Sequence, residues 1–210
     1  MNSMQLKAKL RNVAKEKNMN FNSLIRLYMY DRFLERLSKS KYRDNFVLKC
    51  GFYLSTLFGV ENRATMDIDI ATGDPITPKE IRYKYLPLLG DYYIDLYAYN
   101  IETVLAEKIE TMLNRLELNG RTRDFYDIYL IYKKEWQNIN IDYFRKAIAK
   151  AFTKREYKGD PFEGLDIIRN SEILKERWNK YQRNFEYAEG IEFEDIMNCL
   201  ENIKVGIDKC

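Results

Sequence analysis

Thr65-Met66-Asp67-Ile68-Asp69-Ile70 is the stretch on which the fold of this chain turns. Apolar and acidic residues alternate through it with period 2, the pattern of a β-strand with one buried face. Side chains at i and i+2 of a strand share a face. Asp67 and Asp69 are therefore expected to project together, with Met66, Ile68 and Ile70 pointing the other way. Two carboxylates held that close repel unless a cation or hydrogen-bond donors compensate. A hard divalent ion, Mg2+ or Mn2+, is the simplest compensation. The plain alternative is a strand whose solvent face is acidic.

Upstream, the apolar run Phe46-Val47-Leu48 leads into Lys49-Cys50-Gly51 and then a second apolar segment, Phe52 to Phe58, that reads as a helix. A glycine turn at a helix N-terminus leaves backbone N–H groups free to hold phosphate, although Gly51 is equally an ordinary turn residue. Arg63 and Thr65 set a guanidinium and a hydroxyl beside the carboxylates, and Arg63 could instead pair with Asp67 or Asp69. Tyr93-Ile94-Asp95-Leu96 alternates again and predicts a second strand, with Pro75 and Pro78 in the connection. Asp95, if it lies beside the Asp67/Asp69 strand, is placed to act as a general base in metal-assisted phosphoryl or nucleotidyl transfer; otherwise it faces solvent.

From Asn100 the pattern is helical. Helices are expected over 101–116, 123–132, 142–152, 171–187 and 192–204, with Gly159-Asp160-Pro161 as a loop. Two more precede the strands: residues 4–17, with Leu6, Leu10 and Val13, and a second helix after the break and N-cap at Asn20-Phe21-Asn22-Ser23. Lys108 falls on or beside the apolar stripe of its helix, where a lysine needs a partner or a route to solvent. A nucleotide phosphate is one such partner. Asp124 and Asp127 open the following helix, and the helix dipole accounts for one of them more readily than for both. The Tyr and Phe residues recur at helical spacing and read as core.

Composition narrows the chemistry. The 210 residues include no histidine, which excludes imidazole acid/base catalysis, Ser–His and Cys–His nucleophiles and imidazole zinc sites. The net charge of +3 is unevenly placed: residues 1–50 hold 12 Lys+Arg against 4 Asp+Glu. Such a basic front is either a footprint for a polyanion or a set of solvated helix faces. Cys50, Cys199 and Cys210 form no even framework and have no metal-ligand spacing, which points to a reducing cytoplasm. The basic N-terminal stretch lacks the apolar core of a signal peptide, and no apolar run is long enough for a membrane span.

The blocks Phe46–Gly51, Arg63–Asp69, Ala106-Glu107-Lys108 and Arg123-Asp124-Phe125-Tyr126-Asp127-Ile128-Tyr129, in this order, resemble the AbiEii/AbiGii toxins of type IV toxin–antitoxin systems. The resemblance runs from about residue 20 to about residue 200 and is looser toward the C-terminus, around Trp178 and Phe193-Glu194-Asp195. It implies an α+β fold, with a polymerase-β-like nucleotidyltransferase core of a small mixed sheet and helices, followed by a helical C-terminal domain. The expected division is a helical segment over 1–45, the core over 46–116 and the helical domain over 117–210.

By this resemblance Asp67 and Asp69 hold Mg2+ (or Mn2+), and Lys49, Gly51, Arg63, Thr65 and Lys108 meet a nucleoside triphosphate. Asp124 completes the catalytic set, and Asp95 is a less secure member. The implied activity is transfer of a nucleotide to an RNA acceptor, the 3′ end of tRNA, with growth arrest and phage defence as its setting. The implied partner is a cognate antitoxin encoded alongside that forms no tight complex. One departure stands out: the family reads Lys-Gly-Gly where this chain has Lys49-Cys50-Gly51. Two rivals use the same residues, a Mg2+-dependent RNase and a catalytically degenerate nucleotide- or RNA-binding module.

Overall fold

In the computed structural model, residues 2–63, 65, 67–72, 76–153 and 160–208 are described. Ala64, Met66, Pro75, Gly159 and Cys210, which entered the sequence reading, lie outside them. The chain forms two compact units, one of residues 1–75 and 80–99, the other of 76–79 and 100–210.

The first unit begins with helices α1 (Ser3–Glu16) and α2 (Phe21–Ser38). Asn2 and Gln5 close a reciprocal capping box on α1, and the Asn20 side chain caps α2 at the predicted break. Leu10, Ala14 and Leu24 form the seam between the two helices. After α2 come β1 (Val47–Lys49), α3 (Cys50–Phe58), β2 (Asp69–Ala71), β3 (Ile81–Tyr85) and β4 (Ile94–Ala98). The sheet order is β2-β1-β4-β3, with β1 and β4 parallel and the outer pairs antiparallel. Leu48, Tyr85, Ile94, Leu96 and Ala98 are buried on one face, where the Phe52 ring of α3 meets Tyr85 edge-on. The register puts Lys49, Asp69, Asp95 and Tyr97 together on the other, half-buried face.

In the first unit two strands differ from expectation. β2 starts only at Asp69, so Asp67 and Ile68 precede the strand. Strand β3 was not anticipated, although Ile81, Tyr83 and Tyr85 alternate with Arg82 and Lys84 as an antiparallel edge strand does.

The second unit is helical: α4 (Ile101–Arg115), α5 (Thr122–Glu135), α6 (Ile141–Thr153), the short unanticipated α7 (Leu165–Asn170), α8 (Glu172–Asn184) and α9 (Phe193–Asp208). α4 packs on α5 and α6, and α5 packs on α8 and α9. Asn100 caps α4 and also donates to the carbonyls of Thr77 and Lys79, which ties residues 76–79 to this unit. Trp178, fully buried, donates its indole N–H to the Ile191 carbonyl. The division after Tyr99 places α4 with the C-terminal helices, whereas the expected boundary at 116 kept it with the sheet. The reason is its apolar stripe, Val104, Leu105, Ile109 and Met112, which is wholly buried in a helix that packs on α5 and α6. Among the described residues, no helix is long and apolar enough to cross a membrane.

Candidate active site

In the first unit the site grows from the turn between β1 and α3. Lys49 ends the strand, and Cys50 enters the helix with φ +53°, the left-handed region that glycine adopts freely and cysteine only under strain. Gly51 follows at a point of close approach. A Cβ there would stand 2.9 Å from Thr65 Oγ1 and 3.1 Å from an Arg63 guanidinium nitrogen. Arg63 and Thr65 are almost fully buried, so neither can withdraw into solvent. Thr65 Oγ1 in turn lies 3.0 Å from Asp67 Oδ1 and 3.1 Å from the Asp67 carbonyl oxygen. One chain of contacts therefore links the first turn of α3 to the first carboxylate.

The second carboxylate is fixed by strand register. Asp69 of β2 sits directly opposite Lys49 of β1, and directly opposed residues of an antiparallel pair share a face. The Lys49 ammonium lies 4.9 Å from the centre of the Tyr99 ring and 3.4 Å from its hydroxyl. Tyr99 was not anticipated; as the residue next to β4 it follows from the β1–β4 register and from nothing local in the sequence. The structure thus gathers Lys49, Gly51, Arg63, Thr65, Asp67 and Asp69 at one end of the β1–β2 pair.

It does not bring Asp95 there. β4 is separated from β2 by β1, and the register sets Asp95 four residues back from the level of Lys49 and Asp69. That offset is roughly 13 Å along the strands and about 10 Å across them. The Asp95 carboxylate instead accepts from Arg82 of β3 at 2.9 Å, and its other oxygen is buried with no hydrogen-bond partner among the described residues. The expectation of a strand carboxylate adjacent to the Asp67/Asp69 strand is corrected by this topology.

The second unit holds a separate charged centre. Lys108 of α4 is buried, and its Nζ lies 2.8 Å from Asp124 Oδ1 and 2.6 Å from Asp127 Oδ2. Asp127 is fully buried, and Arg121 approaches the outer oxygen of Asp124 at 3.6 Å. The lysine on the apolar stripe therefore does not run out to solvent. It is held inside by two carboxylates three residues apart on one face of α5. Asp127 belongs to this centre as fully as Asp124 does, and the signal for it was that i, i+3 spacing. Beside it, burial and the nearby Asp127 and Tyr187 push the Tyr181 hydroxyl well above its ordinary pKa, and that hydroxyl lies 2.9 Å from the Tyr187 hydroxyl.

A family model described as "Nucleotidyl transferase AbiEii toxin, Type IV TA system" matches residues 32–91 and 69–201. The chain belongs to this family. No curated protein and no solved structure matches it. The AbiEii match spans both units, and the mixed α+β architecture with its small sheet agrees with a nucleotidyltransferase core. Membership makes this AbiEii chain a nucleotidyltransferase-type toxin and implies a nucleotide substrate and a cognate antitoxin.

The donor set can be tested against a metal. Among the described residues no three carboxylates, thiols or imidazoles gather around one point. Mg2+ does not need such a cage, since it is commonly held by one or two carboxylates with substrate phosphates and water completing the shell. An exposed Asp67 and a half-buried Asp69 fit that mode.

Proposed function

We propose that the protein transfers a nucleotide from a nucleoside triphosphate to an RNA acceptor, the 3′ end of tRNA, in a Mg2+-dependent reaction that arrests growth as part of phage defence. The observation that carries this reading is the contact chain Gly51–Thr65–Asp67 together with the Lys49–Asp69 pairing. Together they bring the first turn of α3, a lysine and two carboxylates to one end of a sheet in a nucleotidyltransferase family.

Asp67 and Asp69 would hold the metal, which when bound offsets charge on the triphosphate and on the leaving pyrophosphate. The first turn of α3 receives phosphate oxygens through its backbone N–H groups, and the missing side chain at Gly51 lets it do so while Thr65 stays packed. Thr65 orients the Asp67 carboxylate. Lys49 and Arg63 supply positive charge on the first unit. The resemblance adds Lys108 as a lysine that meets the triphosphate and Asp124 as its companion. Asp95 is left out, because the register separates it from Asp69. The antitoxin is proposed to be encoded alongside and to act without a tight complex, in the cytoplasm.

The test is incubation with total RNA and each α-labelled nucleoside triphosphate in turn. Label on tRNA that vanishes in Asp67→Ala, Asp69→Ala and Lys108→Ala, together with loss of growth arrest, is the expected result. RNA shortened without label identifies an RNase. Growth arrest retained in an Asp67→Asn, Asp69→Asn double variant identifies a non-catalytic binding module.

A further inference from the structure

The basic charge of the first fifty residues is not diffuse. α1 carries Lys7, Lys9, Arg11 and Lys15 on its exposed surface, with Glu16 its single acidic residue. Where α1 turns into α2, Arg11, Asn12, Lys15, Asn18, Met19 and Phe21 line an open groove of about 540 Å³. The Arg11 guanidinium lies 5.5 Å from the centre of the Phe21 ring. Among the described residues neither Arg11 nor Lys15 has an ion pair, whereas Lys17, just beyond, is neutralised by Glu61 at 3.1 Å. The groove therefore joins two uncompensated cations with an aromatic and a methionine wall.

We infer that this groove grips a single-stranded segment of RNA, with Arg11 and Lys15 on successive phosphates and a base laid against Phe21 and Met19. A positive groove with an aromatic platform is how proteins hold unpaired nucleotides. A membrane surface is the poorer fit, because an interfacial helix must offer an apolar face and α1 has given its own to α2. Leu10 and Ala14 are buried in the seam with Leu24. The choice of RNA rests on the proposed transfer reaction, for which the groove would hold the acceptor.

The experiment is fluorescence anisotropy on the full chain. The probe is a fluorescein-labelled RNA hairpin with a single-stranded 3′ tail; the same hairpin without its tail and the DNA version of the probe serve as comparisons. The exposed pair is replaced in Arg11→Gln/Lys15→Gln, and Phe21→Leu keeps the apolar packing while removing the ring. At 0.1 M salt the double variant should bind roughly 25-fold more weakly, and the slope of log K against log salt should fall by about 1.4, two contacts' worth. Phe21→Leu should cost about fivefold with no change in slope. Wild-type affinity in the double variant, equal binding of the tailless hairpin, or tighter binding of the DNA overturns the inference. Nucleotide transfer is read separately. Loss of RNA binding in a protein that labels no RNA leaves the groove standing and removes the transferase reading, while undiminished binding in an active enzyme does the reverse.

Discussion

Lys108 Nζ lies 2.6 Å from Asp127 Oδ2, and the Asp127 carboxylate is wholly out of water. Removing the lysine leaves two buried carboxylates uncompensated, at a cost of about 3–5 kcal/mol. Lys108→Met is expected to destabilise the second unit by that amount in urea unfolding. Asp124→Ala and Asp127→Ala should each cost less, because Lys108 keeps the other carboxylate. Equal and small losses would mean that the three charges do not act as a buried unit.

Asp31 is the second buried carboxylate with a measurable consequence. It accepts from the Tyr85 hydroxyl at 3.2 Å and from the Leu88 backbone N–H at 2.6 Å, and burial pushes it up from 3.8 to about 6. Because the folded state holds this proton more tightly than the unfolded chain, the contribution is present in full below pH 3.8. It is lost as the pH rises through about 6. The gap corresponds to about 3 kcal/mol. Asp31→Asn keeps a donor and an acceptor for the same two partners and should remove the slope. Urea unfolding of both proteins from pH 4 to pH 7 checks it: the wild type should lose stability relative to the variant as the pH rises. A gain rejects the assignment.

The Cys50-Gly51 turn makes opposite predictions at adjacent positions. Cys50 has φ +53°, so Cys50→Gly should relieve about 1 kcal/mol of backbone strain and raise the unfolding midpoint. Gly51 has no room for a Cβ beside Thr65 Oγ1, so Gly51→Ala should cost about 1–3 kcal/mol. It should also weaken binding of nucleoside triphosphate, measured by calorimetry with Mg2+, more than stability alone accounts for. An unchanged nucleotide affinity in Gly51→Ala would separate this turn from the substrate.

The helices were legible because their information is local. Leu6, Leu10 and Val13 announce the buried side of α1, and Asn20 announces the start of α2 as a cap whose side-chain oxygen takes the N–H groups of Asn22 and Ser23. The short strands were less so. Thr65 to Ile70 alternates throughout, yet pairing with β1 begins only at Asp69, since a ladder extends only as far as its partner does. Ile81, Tyr83 and Tyr85 of β3 alternate just as clearly, but five alternating residues do not by themselves distinguish a paired strand from an extended connection.

Residue types and spacing alone singled out the carboxylates Asp67, Asp69 and Asp124 and the lysine Lys108 as candidates in a chain without imidazole, and showed that the chain joins a small sheet to a run of helices. The tertiary structure decided which of these groups meet. Strand order moved Asp95 away from Asp69 and onto Arg82, helix packing made Asp127 an equal partner of Lys108, and the β1–β4 register set Tyr99 beside Lys49. The physical reason is range. A helix or a cap depends on neighbours within a turn of chain, whereas the partner of a buried charge is chosen by whichever element the hydrophobic core brings against it.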